Sequence, residues 1–257
     1  MSIIKFLYTY PLKSGAAVSE VNVSGDTAGI TGDREFCLYS PELKRFISMR
    51  DNLNIVNLYI KVDGNHLLVR TAHTEMLFDA QFSSPDRIRI WSRDVDVFVM
   101  PQEISEYISS FIGENVILSR LKFPGVISQS FMDTGPIHLI SQHALESLSS
   151  ASGYDYIDPA IFRPNLVVPD FKGLHDDNIN EIIINGVEFT VTERTERCNA
   201  VPLLHKKLQD IENSSLLEYL DEASDYEGAY FGLYLQAKSK FNISIGDELT
   251  FSYTRDH

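Results

Sequence analysis

The chain has 257 residues, 44% of them hydrophobic, enough to bury the core of one large domain or two small ones. Its 36 acidic and 22 basic residues give a formal charge of −14, which repels phosphate backbones and anionic lipid and argues against nucleic-acid and membrane partners. No apolar run approaches the roughly 18 residues of a membrane span and the start "MSIIKFLYTYPLKSG" is too interrupted for a signal peptide, so a soluble cytoplasmic protein is expected.

From the N-terminus, "IIKFLYTY", "AVSEVNVS", "EFCLYS", "RFISM", "IVNLYIKVDGNHLLVRTA" and "RIRIWSRDVDVFVM" are short apolar or alternating runs set off by turn residues. Val62-Asp63-Gly64-Asn65 reads as a hairpin turn, and the whole stretch as a small β-barrel. The period then changes. Ile104, Tyr107, Ile108, Phe111 and Ile112 recur at helical spacing between Pro101 and Gly113, a helix expected to link two halves. A second helix is expected over "HLISQHALESLSSASG" to Gly153, and a third near "SSLLEYLDEAS". "PNLVVPDF", "EIIINGVEFTVTER" and "ISIGDELTFSY" read as strands, with a turn at Asn185-Gly186. The fold class is therefore mainly β with a few helices (α+β), with a boundary between residues 118 and 119.

Two cysteines without a C-x-x-C pair give no disulfide framework, zinc knuckle or four-cysteine iron–sulfur cluster, so any cysteine chemistry rests on one thiolate. Cys37 lies inside an apolar strand and reads as core. Cys198, in "ERTERCNAVP", follows a strand-like run, with Arg194 and Arg197 close by and Pro202 after it. A lone cysteine is commonly a small buried hydrophobe, whereas cationic neighbours favour the thiolate that attacks substrates or binds a soft metal. "YPLKSG" at 10–15 places Lys13 and Ser14 at a strand exit, "GDREF" at 32–36 places Arg34 at a strand entry, and "FRPN" at 162–165 puts Arg163 before a backbone-fixing proline. Each is a turn or surface feature taken alone. Asp133, ahead of Gly135-Pro136, is either a turn residue or a proton-handling carboxylate. His138 and His143 follow in a strand or helix and read as core or surface residues.

"YPLKS", "GDREF", "FRPN", "ERC" and "IGDEL", in that order, resemble the MOSC superfamily, and within it the members with an N-terminal β-barrel extension, similar to the mitochondrial amidoxime-reducing component and bacterial N-hydroxylated-base reductases. The resemblance implies an N-terminal β-barrel domain over 1–118 and a MOSC β-barrel domain over 119–257. It implies a molybdenum cofactor (molybdopterin), whose dithiolene supplies two sulfurs while Cys198 supplies the protein's ligand to the metal. Lys13, Ser14, Arg34, Arg163, Asn165 and Arg197 would bind the cofactor. Thr134 would line the metal pocket beside Asp133, which would assist proton transfer to an oxygen leaving an N-hydroxylated or N-oxide substrate. A small-molecule substrate and a separate electron-donor protein are the implied partners, and pyridoxal phosphate binding is a further family-level association. The alternative is a non-catalytic carrier of the cofactor or of sulfur. The chain departs from the family pattern after the cysteine, in "CNAVPLLHKKLQD", and at Glu196 and Ile161.

Overall fold

The structure, a computed structural model, describes residues 2–81, 84–171, 179–224 and 227–253. The chain is mostly β, and four α-helices occur among the described residues. Its own contacts divide it into two compact units. One comprises Met1–Tyr8, Ser19–Thr31 and Thr134–His257, the other Thr9–Val18 and Gly32–Asp133. The cut placed from sequence between residues 118 and 119 falls inside the strand Ile117–Leu121, which pairs on both sides within the second unit. The expected linking helix, Gln102–Ile112, also lies inside that unit.

The second unit contains a five-stranded antiparallel sheet ordered Ser84–Ile90, Arg93–Val99, Ile117–Leu121, Phe36–Ser40 and Arg45–Ile47, and a three-stranded sheet of Glu75–Asp79, His66–Arg70 and Tyr59–Asp63. Phe36–Ser40 reads as a continuous apolar run because both its faces are covered. Phe36 and Leu38 join one core with Leu12 and Ile60, while Cys37 faces another with Val95 and Phe131. Cys37 is thus a core residue, and burial pushes its thiol far up. Helix Gln102–Ile112 buries Ile104, Ile108 and Ile112 and stops at Gly113, whose φ of 74° is the left-handed cap expected of glycine.

The first unit is built on a nine-stranded sheet, ordered Ser2–Ile3, Glu248–Tyr253, Ile179–Ile184, Val187–Glu196, Tyr230–Ala237, Ile137–Ser141, Leu166–Val168, Phe6–Thr9 and Val18–Glu20. Ile137–Ser141 and Leu166–Val168 pair parallel. The Asn185-Gly186 turn closes its hairpin with φ of 50° and 77°, the two left-handed residues a tight hairpin needs. The stretch expected to be helical from residue 138 begins as the buried strand Ile137–Ser141. The helix proper, Gln142–Ser152, starts where the Ser141 hydroxyl accepts from the Ala144 amide. No helix among the described residues is long and apolar enough to cross a membrane.

Candidate functional site

The sequence-assigned residues fall in both units. In the second unit, the "YPLKSG" turn is clamped to Phe36 by the Lys13 amide, which donates to the Phe36 carbonyl at 2.8 Å. Asp33 accepts from the Tyr10 amide at 2.6 Å and binds the Arg34 guanidinium, which lies 4.5 Å from the centre of the Tyr10 ring. Lys13 is the buried member of the set. Its ammonium donates to the Phe131 carbonyl at 2.9 Å and to Asp133 Oδ1 at 2.5 Å, and sits 5.3 Å from the Phe46 ring centre. The Lys13 side chain is 6% exposed and that of Asp133 54%, so one member of the pair meets solvent.

Trp91 completes this cluster. Its indole N–H donates to the same Asp133 Oδ1 at 2.7 Å while its ring packs edge-on against Phe46 at 4.8 Å. Burial holds the Lys13 ammonium below the usual lysine range, with Asp133 partly restoring it. Burial pushes the Asp133 carboxyl the other way. The Lys13 charge, the Lys13 and Trp91 hydrogen bonds and the Arg50 charge outweigh it and hold the group below the usual carboxylate range. In this arrangement Asp133 is a hydrogen-bond acceptor for Lys13 and Trp91. Both hydrogen bonds fall on Oδ1, which leaves Oδ2 for solvent or a ligand.

In the first unit, Cys198 is exposed, two residues beyond the strand Val187–Glu196 and two before the helix Ala200–Gln209. The pairing of that strand with Tyr230–Ala237 shifts register twice, between Val191 and Glu193 and between Arg194 and Glu196. Such bulges bend a strand and re-aim its last side chains. The helix was not expected from sequence. Pro202 falls in its first turn, where backbone amides have no partner inside the helix, so the ring costs no hydrogen bond. The segment after the cysteine therefore presents to Cys198 the end of a helix that attracts negative charge. The carbonyl of Cys198 accepts from the Val201 amide at 3.0 Å, which ties the cysteine to the first turn.

Arg197 donates to the Phe162 carbonyl at 2.9 Å and lies over the Phe162 ring, which stacks on Phe231. This joins "ERC" to "FRPN", two strings that sequence leaves separate. Asn165 is 1% exposed and ties strands together: its Oδ1 accepts from the His138 amide at 3.0 Å and its Nδ2 donates to the Tyr8 carbonyl at 3.1 Å. His138 is buried, with Nε2 3.2 Å from the Phe231 carbonyl, and His143 is exposed. Thr134 and Glu196 are exposed.

Ser14, Arg34 and Arg163 have φ of 67°, 49° and 53°, three of the seven left-handed non-glycine residues among those described. Each costs on the order of 1 kcal/mol, and such strain gathers where a backbone must present a group to a ligand. No group of three His, Cys, Asp or Glu among the described residues could hold a metal ion. A metal at Cys198 would draw its other ligands from a cofactor, and an exposed thiol beside a helix start and an arginine fits that donor set.

Residues 1–115 match the MOSC N-terminal beta barrel domain and residues 127–250 the MOSC domain. The chain is 22% identical to mitochondrial amidoxime reducing component 2 of Rattus norvegicus, over 94% of this chain and 80% of that one. It is 20% identical to molybdenum cofactor sulfurase of Caenorhabditis briggsae over 90% of its length, spanning 33% of that longer protein. Among solved structures, the YUAD protein from Bacillus subtilis shares the fold at a TM-score of 0.51 and 13% identity, covering 98% of this chain and 97% of the other.

Proposed function

The chain belongs to the MOSC family, with a MOSC N-terminal β-barrel domain ahead of its MOSC domain, and from this premise we propose that it binds a molybdenum cofactor through Cys198 and reduces N-hydroxylated or N-oxide compounds. The observation that carries the reading is the exposed Cys198 between a doubly bulged strand end and a helix start, with Arg197 next to it. When bound, the cofactor would supply two-electron chemistry in which, with two electrons and two protons, the substrate's N–O bond is cleaved to give the parent nitrogen compound and water.

The chain's own part is binding and orientation. Arg163 and Arg197 offer cations and donors that an anionic pterin phosphate needs in a protein of net charge −14, and Lys13, Ser14 and Arg34, which the family resemblance also assigns to the cofactor, are groups of the same chemistry. Asn165 braces the segment that carries Arg163. Asp133, held ionised on Oδ1 by Lys13 and Trp91, would accept from a substrate N–H or O–H through Oδ2 and so orient the nitrogen to be reduced. Thr134 beside it offers a hydroxyl. The two cysteines cannot ligate a plant-type iron–sulfur cluster, so electrons come from a donor outside this chain.

The test is molybdenum and pterin content per mole of protein from a cofactor-competent host, wild type against Cys198→Ser, followed by viologen-driven reduction of an aromatic amidoxime. Metal and turnover in the first and loss of both in the second are expected. Equal metal content in the two proteins would sink the assignment. The match to molybdenum cofactor sulfurase over 90% of the chain favours a second reading, a carrier of the cofactor or of sulfur on Cys198. Stoichiometric cofactor without turnover is the result that selects it.

A further inference from the structure

A cleft of about 250 Å³ opens in the first unit beside helix Gln142–Ser152 and has no part in the chemistry described above. Its floor is apolar: Leu145 from the helix, Val167 from the sheet, and Ile157 from the connection that follows. Two aromatic residues line it, Phe6 at 43% exposure and Tyr156 at 60%, two of the four exposed aromatic side chains among the described residues. Its charged lining residues are Glu146 and Asp155, and no lysine or arginine lines it.

We propose that this cleft binds a small organic cation with a flat apolar body, an amidinium or ammonium carried on an aromatic or short alkyl frame. The volume lies below the roughly 300 Å³ at which drug-sized ligand sites begin, so the ligand is a compact one. The body of such a ligand buries against Leu145, Ile157 and Val167, and its charge finds two carboxylates and the faces of Phe6 and Tyr156. Glu146 accepts from Gln142 through Oε1 at 2.9 Å, an arrangement that fixes the carboxylate one turn along the helix and leaves Oε2 to a ligand. Among the described residues no side chain or amide donates to Asp155. The surroundings reinforce the sign: burial, and then the Asp158 carboxylate, push the phenols of Tyr8 and Tyr156 above their usual range, so both remain neutral acceptors and donors.

A neutral isostere lacks the charge this lining selects for, and an anion is repelled by it. The inference does not depend on the proposed reduction, because none of the lining residues is assigned to the cofactor or to Cys198.

The experiment uses the whole chain and two probes of one shape, benzamidine and benzamide, followed by ligand-observed NMR and calorimetry. Saturable binding of benzamidine is expected, at least ten-fold tighter than benzamide. The Glu146→Gln/Asp155→Asn double variant should weaken benzamidine ten-fold or more and leave benzamide unmoved. Glu103→Gln/Glu106→Gln, on the other unit, should bind benzamidine as wild type does. Equal affinity for the two probes, absence of saturation at millimolar benzamidine, or an effect of the Glu103/Glu106 change as large as that of Glu146/Asp155 would each overturn the proposal, the last by showing attraction to net charge alone.

Discussion

Lys13 and Asp133 stand 120 positions apart, and nothing local in either segment announces that they meet. Sequence singles out both, yet their pairing depends on how Phe131 and Phe46 pack. Trp91 was passed over altogether, because a tryptophan at a hairpin turn carries no motif; its hydrogen bond to Asp133 exists only in three dimensions. Asp133→Asn removes a charged acceptor facing a buried ammonium. With the carboxylate half exposed, a loss of about 1–2 kcal/mol at pH 7 is expected in urea unfolding. The sign with pH follows from the lowered carboxyl: its stabilisation is complete above the ordinary value of 3.8 and disappears as pH falls through the folded-state value. The difference between wild type and variant should therefore shrink in acid. His205 behaves differently. It is 0% exposed, with Nδ1 2.7 Å from the Ser214 hydroxyl, Nε2 buried without a hydrogen-bond partner among the described residues, and its pKa lowered by burial. A histidine kept neutral by the fold contributes stability that is whole above about 6.5 and is lost as pH falls from there to the folded value. Urea midpoints at pH 7.5 and 5.5 should separate more in wild type than in His205→Gln; equal separation would show that His205 stays neutral in neither state's favour.

At the scale of elements, the hydrophobic period and the punctuation residues carry most of the legible information. Helix Gln102–Ile112 is readable because Ile104, Ile108 and Ile112 repeat every four residues and Gly113 ends it. Helix Ala200–Gln209 is not. Its proline sits where proline is tolerated, and its left-handed cap is Asp210 with φ 59°, so the usual glycine signal is missing. The break at the cysteine is legible in the sequence, and the helix that follows it is not. Asn165 shows a second kind of concealment: it reads as part of a ligand-binding string and serves as a brace between Tyr8 and His138, residues on two different strands. Asn165→Leu keeps the volume and abandons two buried backbone groups. A destabilisation of about 2–5 kcal/mol is expected, measured by the shift in urea midpoint at unchanged slope. A shift below about 1 kcal/mol would mean that solvent or a neighbouring side chain takes over both bonds.

For the whole molecule, the order of motifs reveals the family, whereas the path of the chain through its two units is invisible until the strands are paired. A fragment starting at Ser119 keeps the whole MOSC match but lacks Ser2–Ile3, which pairs with Glu248–Tyr253, Phe6–Thr9, which pairs with Leu166–Val168, and Asn22–Asp26, which pairs with Phe241–Ser244. Three ladders would be left with open edges and the shared core would lose Ile4, Leu7 and Val23. The fragment is expected to be unfolded or aggregated by circular dichroism and amide dispersion, and a well-dispersed spectrum would show that the remaining strands suffice. The same pairing sets a timetable for synthesis. Ser2 and Ile3 are synthesised well ahead of their partners, Leu249 and Glu248, which follow on the order of ten to fifty seconds later at ordinary elongation rates. The second unit, complete by Asp133, can close while residues beyond it are still being added, and the first cannot until Glu248–Tyr253 has been made. During that interval the strand Ser2–Ile3 waits without its partner, a window in which a nascent-chain chaperone has something definite to hold.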